Sequence, residues 1–309
     1  MKPIIIGSRG SRLALIQAES VKTALEAAHS GLQVTIKVIK TKGDLILDRT
    51  LDKIGGKGLF VKEIQQALLD KSIDLAVHSM KDVPGVAPEG LTMAAVTRRE
   101  DPRDVLVTAE GFTPETLPEG AVIGTSSLRR QAQIRSLRPD CRVVPLRGNV
   151  QTRLQKMKEQ QLTGILLAAA GLKRLQLLDE LPHSLLDPQA FVPAVGQGAL
   201  GCEIREADVT MKALLASLED ADTRVAILGE RAFLNRLEGD CHVPVGAFGR
   251  LEQNQLMLTG LVAAADGSRR LQQTVTGDKN QAEALGRALA EDLIAQGAWE
   301  LMKAGGSDE

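Results

Sequence analysis

The sequence predicts an α/β protein of two similar lobes followed by a small α+β domain. Three observations carry that prediction. Strand-like and helix-like segments alternate through about the first hundred residues and again from Asp101 onward, the pattern of a mainly parallel sheet. Both stretches open alike, with GSRGSRLALIQA at 7–18 and GTSSLRRQAQIR at 124–135. The end of the chain instead pairs two strands around an Asp266-Gly267 turn and finishes in a helix. A length of 309 residues accommodates two or three domains.

Residues 4–7 give a short apolar strand. The helix expected from Ser11 buries Leu13, Ile16, Val21 and Leu25 on one face, and Leu32, Val34, Ile36 and Val38 then alternate as a strand. Residues 40–60, KTKGDLILDRTLDKIGGKGLF, hold no period, and three glycines surround Lys57. A loop of this length in a compact domain is usually functional, so it is read as a segment carrying a basic side chain toward a ligand. It lacks the GxxxxGK[ST] spacing of a phosphate-binding loop. A helix over 60–69 and a buried strand over 73–77 complete the first unit.

The second unit reads as strand 121–124, helix 126–137, strand 143–146, helix 150–158 and strand 164–169. In each unit a strand runs into a Gly-plus-hydroxyl turn and an arginine-rich helix start. Backbone N–H groups, hydroxyls and the helix dipole make such a turn an anion site. Ordinary capping by Ser and Thr explains the hydroxyls but not the arginines. Two lobes with anion sites at their strand ends point to binding in a cleft between them. Prolines 182, 188 and 193 mark a connection back to the first lobe. The literal GxGxxG at 196–201 runs into strand-like CEIRE, where a dinucleotide fingerprint needs a helix, so its glycines are read as permitting a tight crossing. Helices over 209–218 and 223–234, strands over 256–263 and 271–275, and a helix over 281–294 follow.

Composition removes several functions. Net charge −1, 2% aromatic residues and no Tyr argue against nucleic-acid binding. The first apolar run is too short for a signal peptide, and no stretch is long enough to span a membrane. Three widely spaced cysteines, Cys141, Cys202 and Cys241, fit a reducing cytoplasm, and the four histidines do not fall at zinc-ligand intervals, so no metal is expected.

Against this neutral background, seven arginines fall between Arg129 and Arg153, with no lysine from 121 to 153 and Asp140 as the sole acid. Guanidinium forks recognise carboxylate or phosphate bidentately, so a polyanionic ligand is expected. The competing reading pairs these arginines with acids elsewhere in the fold. HSMKDVP, 78–84, follows a buried strand, and residues at such strand ends line ligand crevices. Asp82 there can stabilise a developing cation or pass protons, or it is simply paired with Lys81 or an arginine. In EGDCHVP, 238–244, Cys241 sits in a polar turn as a nucleophile or attachment point, with His242 beside it as a candidate base. Cys141 and Cys202 read as packing residues.

HSMKDVP, GTSSLRRQAQIR, LRGNVQTRL, GLKRL, VGQGAL and LEGDCHVPVGA together resemble the porphobilinogen deaminase (hydroxymethylbilane synthase) family, over essentially the whole chain. The resemblance implies a transferase that joins four porphobilinogen molecules head to tail into hydroxymethylbilane, releasing ammonia at each addition. It implies a dipyrromethane cofactor held by a thioether to Cys241, and an essential Asp82 that positions pyrrole N–H groups and stabilises the cationic azafulvene left when ammonia departs. Arg9, Arg129, Arg130, Arg147, Arg153 and Arg174 match the family's carboxylate-binding arginines. Ser11, Thr125 and Ser127 match its hydroxyl ligands, Lys81 a cofactor-binding lysine, and Lys57 lies in the family's mobile active-site loop. Each pyrrole carries an acetate and a propionate, so the growing polypyrrole chain gains charge every cycle, and burying unpartnered carboxylates is costly.

Arg135, Arg138 and Arg142 match no such role and are expected as solvated surface. Where the family often has Arg-Gln-Ser or Arg-Lys-Ser, this chain has Arg9-Gly10-Ser11 followed by Arg12. The fold implied is two lobes of the periplasmic-binding-protein type with a small C-terminal α+β domain. Lobe 1 is expected over 1–98 with 198–217, lobe 2 over 99–197 and the third domain over 218–309. A cytoplasmic monomer is expected, without nucleic-acid or membrane partners. The non-enzymatic alternative is a two-lobe organic-anion binding protein.

Overall fold

Alternating strands and helices form where the apolar pattern places them. A computed structural model describes residues 3–41, 61–85, 87–237 and 243–304. They fall into two compact units. One takes in the described residues up to Glu100 together with Gly198–Arg224, and the other Asp101–Gln197 with the described residues from Val225 on.

In the first unit, β1 (Ile4–Ser8), β2 (Val34–Val38) and β3 (Leu75–Ser79) are parallel neighbours. Helices α1 (Arg12–Ala28) and α2 (Lys62–Leu69) belong to the same unit. Two strands not anticipated as a pair complete the sheet. β4 (Leu91–Val96) lies at the edge, and β10 (Leu200–Arg205) runs antiparallel between β3 and β4. Both faces are covered, as a largely parallel sheet requires. Ile4, Ile6, Leu25, Val77 and Ile204 fill one core, and Ile64, Leu68, Ile73 and Leu91 the other.

The second unit repeats the scheme. β6 (Val122–Gly124) has β7 (Arg142–Val144) and β8 (Gly164–Ala168) parallel on either side. β5 (Asp104–Thr108) runs antiparallel to β8 and to β9 (His183–Leu185). The strand orders β2-β1-β3-β10-β4 and β7-β6-β8-β5-β9 therefore share one plan, three parallel strands and then an antiparallel fourth. Helices α3 (Leu128–Leu137), α4 (Val150–Glu159) and α5 (Ala169–Arg174) complete the layer.

After α6 (Val209–Leu215) and α7 (Ala221–Arg236), β11 (Val245–Glu252), β12 (Gln255–Ala263) and β13 (Arg270–Asp278) make an antiparallel meander. Helix α8 (Ala282–Ala295) packs Leu289 and Leu293 into the same core as Phe233 and Leu258. The fold is thus mixed α/β, two sheet-containing lobes and a small C-terminal domain with a three-stranded sheet. No helix among the described residues is long and apolar enough to cross a membrane.

The glycines of the GxGxxG string serve close approach. A Cβ on Gly198 (φ +94°) would lie 2.3 Å from the Glu100 carbonyl oxygen. From Leu200 the string is already β10, a strand where a dinucleotide site needs a helix.

Candidate functional site

In the first unit the candidate residues stand at strand ends. β1 ends at Ser8, whose hydroxyl donates to the carbonyls of Arg9 and Ala14. Ser11 caps α1 by accepting from the Ala14 N–H, and no acid lies in the first helical turn to offset the dipole. Arg9 is half-buried and Arg12 exposed.

Strand β3 delivers the second group. His78, 5% exposed, meets the Glu203 carboxylate at 3.0 Å, and Gln65 on α2 donates to both oxygens of Glu203. Register on the β10 side is fixed by the pairings Gly201 with His78 and Leu200 with Ser79, and by the Met80 N–H donating to the Ala199 carbonyl. The chain then makes a single 3₁₀ turn, Met80–Asp82. A Cβ on Gly201 would lie 2.4 Å from the Met80 sulfur, so the missing side chain lets this turn settle onto the strand. Lys81 and Asp82 are half-buried. Asp82 forms no hydrogen bond or ion pair with any described residue. The simple pairing with Lys81 or an arginine that local sequence allows is therefore absent among the described residues.

In the second unit the turn after β6 uses its hydroxyls internally. Thr125 accepts from the Ser127 N–H, Ser126 accepts from the Leu146 N–H, and Ser127 caps α3 by accepting from the Arg130 N–H. Arg129 and Arg130 occupy the first turn of α3, the end where the dipole disfavours cations. A buried carboxylate compensates. Asp104, fully buried at the start of β5, accepts from Arg129 Nη1 at 2.6 Å and from Arg130 Nε and Nη2 at 2.9 and 2.7 Å. Gln197 adds an amide donor at 3.0 Å. Burial alone would raise the Asp104 pKa, but the charges and hydrogen bonds of the two arginines outweigh it and hold the carboxyl well below the usual range.

The two arginines differ in what remains. Arg130 also donates Nη1 to the Leu166 carbonyl, so all three of its side-chain nitrogens are bonded inside the protein. Arg129 bonds only through Nη1, to Asp104 and to the Val192 carbonyl, and its Nε and Nη2 bond no described residue. Asp104 and Gln197 were not singled out from sequence. The traces in the sequence are the acid opening the apolar segment DVLVT and the place of Gln197 inside VGQGAL.

The β7–α4 turn carries Arg147, and the first turn of α4 carries Arg153. Arg153 Nε donates to the Gly148 carbonyl at 2.8 Å, and Asn149 caps α4. Nη1 of Arg147 is buried without a hydrogen-bond partner among the described residues, as is Nε2 of Gln151. Arg174 is half-buried at the end of α5. Lys57, Cys241 and His242 lie outside the described residues.

The surface assignment of the other arginines needs correction. Arg138 donates to the carbonyls of Pro114, Leu117 and Pro118 and to both oxygens of Asp140, tethering a loop. Arg135 donates to the Ala265 carbonyl, anchoring the β12–β13 turn to α3. Only Arg142 of the three is exposed. Cys141 and Cys202 are buried free thiols; burial pushes Cys202 up to about 12, which suits packing rather than nucleophilic chemistry. No metal-binding cluster occurs among the described residues.

Residues 4–213 match the family model "Porphobilinogen deaminase, dipyromethane cofactor binding domain", and residues 224–295 match "Porphobilinogen deaminase, C-terminal domain". Porphobilinogen deaminase of Alkaliphilus metalliredigens (strain QYMF) is 53% identical over 308 residues, covering 100% of this chain and 97% of the relative. That of Syntrophotalea carbinolica (strain DSM 2380 / NBRC 103641 / GraBd1) is 55% identical over 299 residues, covering 97% and 95%. Among solved structures, a TRAP periplasmic solute binding protein from Desulfovibrio salexigens matches with TM-score 0.43 and 11% identity over 70% of this chain and 72% of that one.

Proposed function

The chain belongs to the porphobilinogen deaminase family, and from that premise we propose that it is a transferase condensing four porphobilinogen molecules head to tail into hydroxymethylbilane, with loss of ammonia at each addition. Residues 4–213 are a dipyrromethane cofactor binding domain. We assign the covalent thioether to Cys241; once bound there, the dipyrromethane supplies the pyrrole carbon onto which substrate is joined.

The observation that carries the catalytic assignment is the Asp82 carboxylate, which pairs with no described residue. A half-buried carboxylate at a strand end, held by a turn whose backbone is fixed from β10, meets developing positive charge without first breaking an ion pair. Asp82 is accordingly proposed to orient pyrrole N–H groups and stabilise the cation that forms as ammonia leaves the substrate. Arg9, Ser11 and Lys81 from the first unit, and Thr125, Ser127, Arg129, Arg147, Arg153 and Arg174 from the second, are proposed to hold acetate and propionate groups, with Lys57 joining them from its loop.

The residues suit a polycarboxylate. Among the described residues a buried guanidinium nitrogen of Arg147 and two nitrogens of Arg129 have no partner, and the first turns of α1, α3 and α4 hold no acid. Arg130 is proposed to act from behind, adding positive charge and fixing Asp104. The division into lobe 1 (1–98 with 198–217), lobe 2 (99–197) and a third domain from 218 is kept as a proposal, as are the monomeric state and cytoplasmic location.

Intact-mass measurement tests the assignment. The wild-type chain is expected to carry a two-pyrrole adduct that Cys241→Ala lacks. An adduct surviving that substitution removes the attachment from Cys241, and no adduct in the wild type favours an anion-binding protein.

A further inference from the structure

Two buried donors at the start of α4 have no partner among the described residues. Arg147 Nη1 and Gln151 Nε2 are both buried without a partner, four positions apart across the Asn149 cap of α4. The turn is rigid for independent reasons. Asn149 Oδ1 accepts from the Thr152 N–H and hydroxyl at 2.9 and 3.0 Å. Arg153 Nε holds the Gly148 carbonyl and Lys156 Nζ the Arg147 carbonyl. Gly148 has φ +123°, and a Cβ there would lie 2.7 Å from the Thr152 side chain, so another residue would be strained. None of these bonds uses the Arg147 guanidinium Nη1 or the Gln151 amide.

Burying a donor without a partner is expensive, more so on a charged group, and polar groups in that state mark sites completed by something else. The chemistry of the pair selects the occupant. Both atoms are donors, one is cationic, and the first turn of the helix carries no acid. A carboxylate satisfies both; a pyrrole N–H or an ammonium satisfies neither. We infer that Gln151 is a specificity-determining residue that donates to a side-chain carboxylate of the pyrrole substrate, alongside Arg147. The inference rests on the family reading for the identity of the substrate, not for the preference for carboxylate.

The test compares Gln151→Ala and Gln151→Glu in the full chain. With adduct-loaded enzyme, Gln151→Ala is expected to lower kcat/KM for porphobilinogen about fivefold, the loss of one neutral donor. Gln151→Glu, of nearly the same shape but charged, is expected to lower it at least about a hundredfold, because like charges are brought together. In cofactor-free chain the order reverses. Gln151→Glu supplies the missing carboxylate to Arg147 and raises Tm above wild type, and Arg147→Leu removes that gain. Glu and Ala variants both within twofold of wild type, or no Tm gain on Gln151→Glu, overturn the inference. A wild type without a two-pyrrole adduct overturns the proposed cofactor attachment instead, and the melting arm still decides whether this turn accepts a carboxylate.

Discussion

Asp82 and Asp104 both stand at strand termini close in sequence or space to cations, yet their carboxylates meet opposite fates. Asp104 is fully buried and takes donors from Arg129, Arg130 and Gln197. Asp82 is half-buried and takes none from any described residue. The surroundings explain the difference. Two arginines in the first turn of α3 would repel each other and the helix dipole, so the fold needs an anion at that point. The turn at Met80–Asp82 is instead held by backbone bonds and by the His78–Glu203 contact, so nothing in its assembly consumes the aspartate. A carboxylate that the fold requires is unavailable for chemistry, and one that the fold does not require can be kept for it.

Substitution should separate the two. The largest effect is expected at Asp104. Asp104→Ala leaves two buried guanidinium groups without their anion and should cost about 3–5 kcal/mol of stability, read from urea unfolding. Asp104→Asn keeps the shape and isolates the charge. Because the folded pKa lies below the unfolded value near 3.9, the stabilisation from this carboxylate is fully present above about pH 4 and is lost as pH falls through the folded value. The stability gap between wild type and Asp104→Asn should therefore shrink as pH drops below about 4; a gap constant with pH would mean that Asp104 is not held as an anion.

Next in size is Asp82→Asn, with the opposite signature. Turnover should fall by roughly a hundredfold or more, comparable to removing one preorganised electrostatic group, while Tm stays close to wild type. Near-normal turnover, or a large loss of stability, would erase the distinction between the two aspartates. Gly201→Ala probes the support of the Met80–Asp82 turn from β10. The added methyl meets the sulfurs of Met80 and Met93, so a cost of about 1–3 kcal/mol is expected, with turnover falling further than stability alone explains. The smallest contrast lies among the remaining arginines. Arg138→Ala should lower the urea midpoint slightly through lost loop tethers, and exposed Arg142→Ala should leave it essentially unchanged.

What sequence disclosed follows from the range of the forces involved. Local periodicity located the strand over 4–7 and the helix over 150–158, observed as Ile4–Ser8 and Val150–Glu159, because a buried face is written into neighbouring residues. The shared openings at Gly7 and Gly124 anticipated a plan now visible in both strand orders. β4 and β5 were missed. Asp104 opens a fully buried strand with a charge, and Arg129, Arg130 and Gln197, all more than twenty residues on, make that tolerable. The helix expected over 209–218 ends at Leu215 and tightens into a 3₁₀ turn, a change of pitch that apolar spacing does not encode. At the site, Arg147 was legible as one of a run of arginines, whereas Gln151 was not. Its distinction is a missing partner, which exists only once the chain has folded.

The antiparallel strand β10 has a consequence for how this protein is made. β4 ends at Val96, and its partner begins at Leu200, about a hundred residues later. On a ribosome adding roughly 5–20 residues per second, the first sheet waits on the order of 5 to 20 s with Val77, Ala95 and their neighbours uncovered. The second sheet draws all its strands from one unbroken stretch of chain and waits for nothing downstream of β9. Nascent chains stalled before and after residue 205 should differ in protease resistance of the N-terminal sheet. During synthesis the lobe translated first is thus the lobe completed last.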